Sequence, residues 1–370
     1  MARPLPIFEP SGGTHGSTTH GASTHGATTH AASTHGGSSR PLTIAMGGSV
    51  DASAINGPDK RRHPDWIRAR LPIGDNYNEL KALVRGQSLN TVCEEARCPN
   101  IGECWEQRTA TVMILGDTCT RACGFCAVKT GRPTWFDPDE PRRVAEAVKV
   151  MGLEHVVVTS VARDDLPDGG ASVFAETIRA IRRVTPETGV EVLIPDFNGE
   201  NGPLRTVMEA APDILNHNIE TVDRLQKPVR KRARYRRSLD VLAVAKSLAL
   251  EVTGRPGTVH TKSSIMVGLG EQRDELSQAF RDLRDVDCDI LTIGQYLRPT
   301  VAHLPIERYV HPDEFAEMKA EALALGFKHV ESGPLVRSSY HARDQVPEES
   351  KRNRSTQQAA LAANGIDSAA

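Results

Sequence analysis

The chain has 370 residues, and its 45 lysines and arginines nearly balance 47 aspartates and glutamates, which leaves a formal charge of −2. This balance argues against a dedicated nucleic-acid-binding protein, which would carry a basic surplus. No apolar run reaches the roughly 18 residues that span a bilayer, and no secretory signal is visible at the N-terminus. We therefore expect a cytoplasmic protein that binds neither nucleic acid nor membrane, and whose cysteines stay reduced.

Both ends of the chain are predicted to be disordered, because they contain few large apolar side chains. The N-terminal tail, residues 1–60, carries a histidine at every fifth position among Thr, Ser, Gly and Ala. These histidines are His15, His20, His25, His30 and His35. A His-rich tract can bind divalent metal weakly, but a solvated tail is the favoured interpretation. Residues 347–370 are predicted to be a second flexible tail, and the roughly 285 residues between the tails suit a β/α barrel.

Between the tails, short apolar runs alternate with amphipathic segments. The predicted strands are Thr111–Leu115, His155–Ser160, Val190–Ile194, Ile214–Asn216, Ser263–Val267, Ile290–Ile293 and Lys328–Glu331. The predicted helices are Pro141–Met151, Val173–Val184, Leu204–Ala211, Leu239–Leu250, Glu275–Arg284 and Phe315–Leu325. This alternation predicts an α/β fold, a partial or full β/α barrel of parallel strands joined by right-handed crossovers. A flat doubly wound sheet is the alternative.

Six of the seven cysteines lie within 34 residues, in two groups of three. The first group has C-x4-C-x5-C spacing and consists of Cys93, Cys98 and Cys104. The second has C-x3-C-x2-C spacing, follows the first predicted strand and consists of Cys119, Cys123 and Cys126. Three thiolates from one loop can hold three irons of a 4Fe–4S cluster and leave the fourth open. Structural zinc is the alternative, but it takes four ligands, typically from paired C-x2-C hooks that neither group supplies.

The second group, with Phe125 before its last cysteine, resembles the cluster motif of the radical S-adenosylmethionine superfamily. The resemblance narrows to the lipoyl synthase family through further segments that extend from about residue 64 to residue 346. These segments are TVCEEARCPNIGECW at 91–105, TSVARDDLPDGGA at 159–171, HNIETV at 217–222, MVGLGE at 266–271, GQYLRP at 294–299 and RSSYHA at 337–342.

This resemblance implies a sulfurtransferase of lipoate biosynthesis and protein lipoylation, which inserts sulfur at carbons 6 and 8 of a protein-bound octanoyl group. It implies S-adenosyl-L-methionine and two 4Fe–4S clusters as cofactors. One cluster would cleave S-adenosylmethionine to a 5′-deoxyadenosyl radical, on Cys119, Cys123 and Cys126. The other, auxiliary cluster would donate sulfur, on Cys93, Cys98, Cys104 and the serine of the RSSY motif, Ser339. Another radical S-adenosylmethionine enzyme with a different substrate, and a zinc-binding interaction protein, remain as alternatives.

The same resemblance divides the folded region into three parts. Residues 61–110 would be an N-terminal extension with the auxiliary-cluster cysteines, and residues 111–333 the barrel core. Residues 334–346 would complete the auxiliary cluster, with Arg337 holding this segment in place by hydrogen bonding.

Polar residues follow two of the predicted strands, where a barrel carries its chemistry. Thr159, Ser160 and Arg163 correspond to the superfamily's site for the methionine moiety of S-adenosylmethionine. The neighbouring Asp164 and Asp165 have a second interpretation, as caps of the next helix. Residues 266–271 resemble the adenine-contacting segment, or form a buried strand and loop. A further pair resembles ribose-binding residues, or caps a helix: Asn218 and Glu220.

The implied partners are an octanoylated lipoyl carrier domain, a reductant and iron–sulfur cluster assembly proteins. The carrier would be a 2-oxoacid dehydrogenase E2 component or the glycine cleavage H protein, and the reductant a ferredoxin or flavodoxin. Six of the eight residues at 230–237 are basic, which predicts either a solvated loop or a docking surface for an acidic carrier. Cys288, beside an apolar strand, is predicted to be a packed structural residue.

Overall fold

A computed structural model describes residues 63–68, 74–86, 91, 98–254, 257–346 and 348. The predicted tails, apart from residue 348, and Cys93 lie outside these residues. The strands are β1 (Thr109–Ile114), β2 (Thr118–Cys119), β3 (Lys129–Thr130), β4 (His155–Ser160), β5 (Gly189–Leu193), β6 (Ile214–Asn216), β7 (His260–Val267), β8 (Ile290–Gln295) and β9 (His329–Gly333). The helices are α1 (Asp75–Gly86), α2 (Ile101–Glu106), α3 (Glu140–Val150), α4 (Ala171–Val184), α5 (Asn201–Glu209), α6 (Gln226–Val229), α7 (Tyr235–Thr253), α8 (Arg273–Asp285) and α9 (Pro312–Ala324).

Seven of these strands form one parallel sheet in the order β1-β4-β5-β6-β7-β8-β9. The order across the sheet is the order along the chain, so every crossover steps in the same direction. A doubly wound sheet would reverse direction at a switch point, and that alternative is wrong. The predicted α/β architecture is confirmed, in its partial form, because β1 and β9 are the edges of the sheet.

The apolar pattern explains why these segments form the barrel wall. All six residues of β1 and the first five of β4 are buried, as expected for parallel strands that are covered on both faces. The helix α4 turns one apolar face toward them, with Phe174, Ile178 and Ile181 fully buried. None of the described helices is long and apolar enough to cross a bilayer.

The strand β7 begins at His260, three residues before the predicted start at Ser263. The first residues of this strand were not predicted because they include the polar residues Thr261 and Lys262. Both are fully buried in the structure. The pattern also missed α1, α2 and the short parallel pairing of β2 with β3.

The N-terminal and C-terminal extensions meet at the open side of the sheet. Thr91 forms an antiparallel bridge with Val112 on β1, the first edge strand. The side-chain amide of Asn100 donates to the carbonyl of Leu335, beyond the other edge, at 2.6 Å. Residues on both sides of the gap are thereby brought together although 235 positions separate them in the chain.

Candidate active site

The second cysteine group lies on the loop that follows β1. Cys119 ends β2, and its carbonyl accepts a hydrogen bond from the backbone of Gly131 at 3.0 Å. The loop then turns, with the Cys126 amide donating to the Cys123 carbonyl at 3.3 Å. All three thiols are unbridged and only partly exposed, so they are available as ligands at the C-terminal end of the barrel.

The Cys119 sulfur is surrounded by hydrogen-bond donors. It accepts from the backbone N–H of Ala162 at 3.3 Å and from that of Arg121 at 3.4 Å. Hydrogen bonds to the ligand sulfurs tune iron–sulfur clusters. The two amides therefore suit this sulfur to the role of a cluster ligand.

The Cys123 thiol lies where a free thiolate is unfavourable. Burial, with smaller contributions from the charges of Cys126, Glu220 and Cys119, raises its pKa to about 12 against the opposing charge of Arg230. The three sulfurs therefore lie close enough to repel one another when ionised. A cationic iron core removes that repulsion, so the donor set fits the cluster implied by the sequence.

The second half of this loop is held by neighbouring segments. The Gly124 amide donates to Val229 at 2.9 Å, and its carbonyl accepts from Leu304 at 3.0 Å. His303 Nε2 lies 3.0 Å from the carbonyl oxygen of Cys126. A Cβ on Gly124 would stand 2.9 Å from the Leu304 side chain, so this close approach favours glycine.

Two of the predicted S-adenosylmethionine contacts are occupied within the fold. The hydroxyl of Thr159 donates to the carbonyl of Leu193 at 3.0 Å. Arg163 is only 4% exposed, pairs with Asp165 at 2.9 Å and donates to the carbonyl of Leu115 at 3.2 Å. Both residues fix the ends of strands, and neither presents an unused polar group at the site.

Two of the other three predicted contacts keep unused polar atoms. Ser160 Oγ and Asn218 Oδ1 are buried and have no hydrogen-bond partner among the described residues. The amide of Asn218 donates to Glu220 at 3.0 Å, and burial raises the pKa of Glu220 against the charge of Arg230. Buried polar atoms normally have partners, so these atoms are suited to a polar ligand near the cysteine loop.

The aspartates after β4 do not cap the next helix. Asp165 pairs with Arg163, while Asp164 pairs with Arg121 at 2.6 Å. The N-cap residue of α4 is Gly170, and the side-chain cap at this end comes from Asp168, which accepts from the backbone of Gly170 at 2.9 Å and of Ser172 at 2.8 Å. The capping alternative for Asp164 and Asp165 is therefore wrong.

The segment 266–271 forms the end of β7 and a tight loop. The Glu271 carboxylate accepts from the backbone amides of Gly268 at 2.6 Å and Leu269 at 2.9 Å. Gly268 has φ of +98°, a conformation that side chains other than hydrogen disfavour. The assignment of segment 266–271 to adenine binding stays a prediction.

The first cysteine group faces a second site on the open side of the sheet. A cavity there brings together residues of the N-terminal extension, β1 and the C-terminal segment. Its lining is Cys98, Asn100, Ile101, Cys104, Thr109, Thr111, Arg337, Ser339 and Tyr340. Two of the predicted auxiliary ligands thus share one cavity with Ser339, although Cys93 lies outside the described residues.

The charge of this cavity suits an anionic occupant. Burial lowers the pKa of Arg337, which the nearby Cys98 opposes. Its guanidinium donates only to carbonyls, those of Val336 at 2.7 Å and Gln295 at 3.3 Å, and no carboxylate pairs with it within the described residues. Burial raises the pKa of Cys98, while the charge of Arg337 lowers it. A buried cation without an anion is costly, and a thiolate-ligated cluster would supply the missing negative charge.

A polar contact ties the Ser339 segment to the helix that carries Cys104. Tyr340, directly after Ser339, donates to the Glu103 carboxylate at 3.2 Å. His341 lies 3.6 Å from the same carboxylate and stacks on Tyr340 with ring centroids 3.9 Å apart. Glu103 therefore fastens both sides of the cavity.

Three of the six basic residues in segment 230–237 pair with carboxylates, at Arg232, Arg236 and Arg237. Arg230 is 8% exposed and donates to the carbonyl of Asn218 at 2.8 Å. Arg232 pairs with Asp164 at 3.1 Å, and Arg237 pairs with Asp196 at 3.2 Å. The segment is neither a simple solvated loop nor a fully exposed docking surface.

Two further observations concern single-metal sites and the seventh cysteine. Among the residues that the structure describes, no three His, Cys, Asp or Glu side chains are grouped as ligands of a single metal ion. Cys288 is fully buried in the apolar core around β7 and β8, which confirms its predicted structural role.

Sequence reasoning missed several residues that shape these sites. Arg121 was overlooked because a charged residue between two cysteines gives no periodic signal. Asp196 and His303 lie far along the chain from the cysteine loop that they support, and Glu103 lies far from its partner Tyr340, so only the fold brings these groups together. Asp196 could have been found from its position, because it follows a predicted strand at the end of the barrel where catalytic residues lie.

Two family models match parts of this chain. A family model described as the radical SAM superfamily matches residues 113–283. A second model, described as the N-terminal domain of lipoyl synthase of the radical SAM family, matches residues 49–98. Among solved structures, the hydrogenase maturase HydG of Carboxydothermus hydrogenoformans aligns with a TM-score of 0.47 and 12% identity, over 70% of this chain and 72% of that chain. That likeness is too distant to support any conclusion.

Curated relatives are much closer in sequence. A lipoyl synthase of Rubrobacter xylanophilus is 61% identical over 290 residues, which cover 78% of this chain and 88% of the relative. A lipoyl synthase of Geobacillus thermodenitrificans is 60% identical over 291 residues, which cover 78% of this chain and 95% of the relative. The chain belongs to the lipoyl synthase family of the radical S-adenosylmethionine superfamily.

Proposed function

We propose that this protein inserts two sulfur atoms at C6 and C8 of a protein-bound octanoyl group to form the lipoyl cofactor. One observation carries the proposal beyond family membership. Cys98, Cys104 and Ser339 line a single cavity, and the loop with the other three cysteines is not part of that lining. Two separate ligand sets suit a reaction that needs both a radical source and a sulfur source.

Each of the two sites would hold one iron–sulfur cluster on its own set of ligand residues. Cys119, Cys123 and Cys126 would hold the first 4Fe–4S cluster. The auxiliary cluster would be held by Cys93, Cys98, Cys104 and Ser339. When bound, the first would supply the electron that cleaves S-adenosylmethionine, and the second the sulfide that is inserted.

Residues around the first site would bind the cosubstrate and exclude water. Ser160 and Asn218 offer unpaired buried oxygens to its polar groups, beside Glu220. Phe125, in the cysteine loop, packs on an apolar cluster that includes Val229 and Tyr296. A dry site protects a radical from side reactions.

Residues around the second site would stabilise an ionised serine ligand. The Ser339 hydroxyl must lose its proton to bind iron as an alkoxide, and the nearby guanidinium of Arg337 favours negative charge in the cavity. The bond from Tyr340 to Glu103 holds the serine segment close to Cys104.

The partners follow from the reaction. We propose an octanoylated lipoyl carrier domain as substrate, a ferredoxin or flavodoxin as reductant, and cluster assembly proteins that rebuild the auxiliary site. The exposed part of the basic segment, with Arg232 and Arg236 at 62% and 78% side-chain exposure, is a candidate contact for an acidic carrier. The cytoplasmic location expected from the sequence stays a prediction.

The test replaces Ser339 by alanine and uses the adjacent Ser338→Ala as the matched control, because Ser338 is not among the residues that line the cavity. Both proteins are reconstituted anaerobically and incubated with an octanoyl-lysine peptide, S-adenosylmethionine and dithionite. Mass spectrometry measures the dithiolane product, and chromatography measures 5′-deoxyadenosine.

We expect Ser339→Ala to keep releasing 5′-deoxyadenosine but to form no dithiolane, since the radical site is intact and the sulfur site is not. Ser338→Ala should form product as the parent does. Normal dithiolane formation by Ser339→Ala would remove this serine from the sulfur site. A parent that cleaves S-adenosylmethionine but leaves the octanoyl chain unchanged would favour a different radical enzyme.

A further inference from the structure

Arg121 lies inside the cysteine loop, between Cys119 and Cys123, yet it is only 8% exposed. A long charged side chain is rarely buried unless it is paired. The proposed catalysis gives this arginine no role, and its partners show what it does in the fold.

The guanidinium binds two carboxylates at once. Nε and Nη2 donate to Asp164 at 2.8 and 2.6 Å, in the bidentate geometry that is specific to arginine. Nη1 lies 2.7 Å from Asp196 Oδ1, and Nη2 also donates to Asn198 at 3.1 Å. All three nitrogens of the guanidinium are thus directed at residues that follow two strands.

These partners lie on rigid parts of the barrel. Asp164 follows β4, and Asp196 follows β5 and is fully buried. Arg232 and Arg237 complete the network from the other side, with one ion pair to each aspartate. The cysteine loop is therefore joined to two neighbouring strand ends by one side chain.

Both aspartates are ionised in this network. The hydrogen bond from Arg121 lowers the pKa of Asp164 to about 2 against the effect of burial. Burial is the largest influence on the pKa of Asp196 and would raise it, but the charge and hydrogen bond of Arg121, together with weaker contributions of His217 and the Asn198 backbone, keep the pKa below its usual range. The contacts are therefore charge-assisted and are stronger than neutral hydrogen bonds.

The backbone beside Arg121 is fixed by the same region. Thr120 donates from its amide to the carbonyl of Ala162 at 3.0 Å, and the amide of Ala162 donates to the Cys119 sulfur. The side chain of Thr120 also exchanges hydrogen bonds with Asp164, at 3.1 and 3.2 Å. The loop between Cys119 and Cys123 is thus held at both its backbone and its longest side chain.

We propose that Arg121 is a positioning residue, which fixes the loop so that the Cys119 and Cys123 sulfurs are in place before iron binds. The inference rests on the proposed function, because it assigns the loop to the cluster that binds S-adenosylmethionine. Without the guanidinium, two buried carboxylates would lose their common partner and the loop would lose its tie to β4 and β5.

The test uses Arg121→Gln, which removes the charge, and Arg121→Lys, which keeps the charge but not the bidentate geometry. Arg142→Gln is the matched control, because Arg142 also pairs with two carboxylates, Asp139 and Glu146, but is 59% exposed on α3. Each change is made in the full chain with Cys98 and Cys104 replaced by alanine, so that only the first cluster contributes iron.

Two readouts follow anaerobic reconstitution. The rate of iron release to a chelator reports how firmly the loop holds the cluster. Electron paramagnetic resonance of the reduced cluster, with and without S-adenosylmethionine, reports whether the site still binds the cosubstrate. Circular dichroism of each variant separates a local effect from loss of the fold.

We expect iron release from Arg121→Gln to be about 10–100-fold faster than from the parent, the usual effect of removing a partner of a metal ligand. Arg121→Lys should fall in between with a native circular dichroism spectrum, so the result stands even if Arg121→Gln fails to fold. Arg142→Gln should match the parent.

Unchanged iron release and an unchanged cosubstrate-induced spectral shift in Arg121→Lys and Arg121→Gln would overturn this inference alone. Loss of folding in both Arg121 variants would also overturn it, because the residue would then support the barrel and not the loop. A parent without a signal that responds to S-adenosylmethionine would overturn the proposed function, and the inference with it.

Discussion

The barrel interior contains an ion pair whose disruption should make the free energy of unfolding fall as pH rises. Lys262 on β7 and Glu191 on β5 are both fully buried, with 3.0 Å between Lys262 Nζ and the carboxylate. The carboxylate also accepts from the amide of Asn216, on the intervening strand, at 2.9 Å. This network joins three neighbouring strands below the active site.

In the parent, burial alone would raise the pKa of Glu191, but the charge of Lys262 and the contacts of His155 and Asn216 shift it downward. A depressed pKa adds stability above the unfolded value of about 4.3, and that stability is lost only as pH falls through the folded pKa. Between pH 6 and pH 8 this group therefore adds no slope to the free energy of unfolding.

The change Lys262→Met leaves a buried carboxylate without its cation. Breaking a buried pair in this way costs about 3–5 kcal/mol. The pKa of the isolated Glu191 then rises above its unfolded value, so folding takes up a proton. Stability should fall as pH rises, by up to about 1.4 kcal/mol per pH unit while the group titrates.

Urea unfolding of the cluster-free chain at pH 6, 7 and 8, followed by circular dichroism, measures this effect. The double change Lys262→Met with Glu191→Gln should recover at least half of the loss and remove the slope, because no buried charge remains. A single variant with parental stability, or with stability that rises with pH, would refute the argument that this pair is desolvated.

Two local features give further predictions. Asp168→Ala removes the side-chain cap of α4 and should lower the free energy of unfolding by about 1 kcal/mol, measured by urea unfolding; no change would mean that the cap is dispensable. Gly268→Ala should lower the free energy of unfolding by about 1–3 kcal/mol, because φ is +98° and the new Cβ would lie 2.1 Å from Gln295 Nε2. Gly202→Ala, on α5 with nothing within 4 Å of the added carbon, is its control and should stabilise by about 0.4–1 kcal/mol; equal effects at both glycines would contradict the steric explanation.

The strands and helices of the barrel were predictable because their apolar residues follow a period of two or 3.6, or form continuous buried runs. The prediction weakened where buried residues are polar. The start of β7 was missed since Lys262 is buried only through its partner on another strand. A pattern of hydrophobicity cannot register a contact between distant residues.

The cysteines were predictable because they are rare and closely spaced, whereas the shared cavity of Ser339 and Cys104 depends on how the two extensions close the open side of the sheet. Residue type alone gave misleading signals at the polar strand ends. Arg163 looked like a ligand contact but is bound to Asp165, and the cap of α4 lies at Asp168, beyond Asp164. At each of these positions, the contacts of the side chain depend on its direction in the fold, which the residue type does not give.

The most direct test of the account is the iron and labile sulfide content of the reconstituted chain, with and without each cysteine group. The parent should contain about eight irons and eight sulfides, and about four of each should remain after alanine replaces either Cys93, Cys98 and Cys104, or Cys119, Cys123 and Cys126. A parent that binds one or two zinc ions, or that keeps its full iron content without either group, would contradict the claim that these thiols hold two clusters.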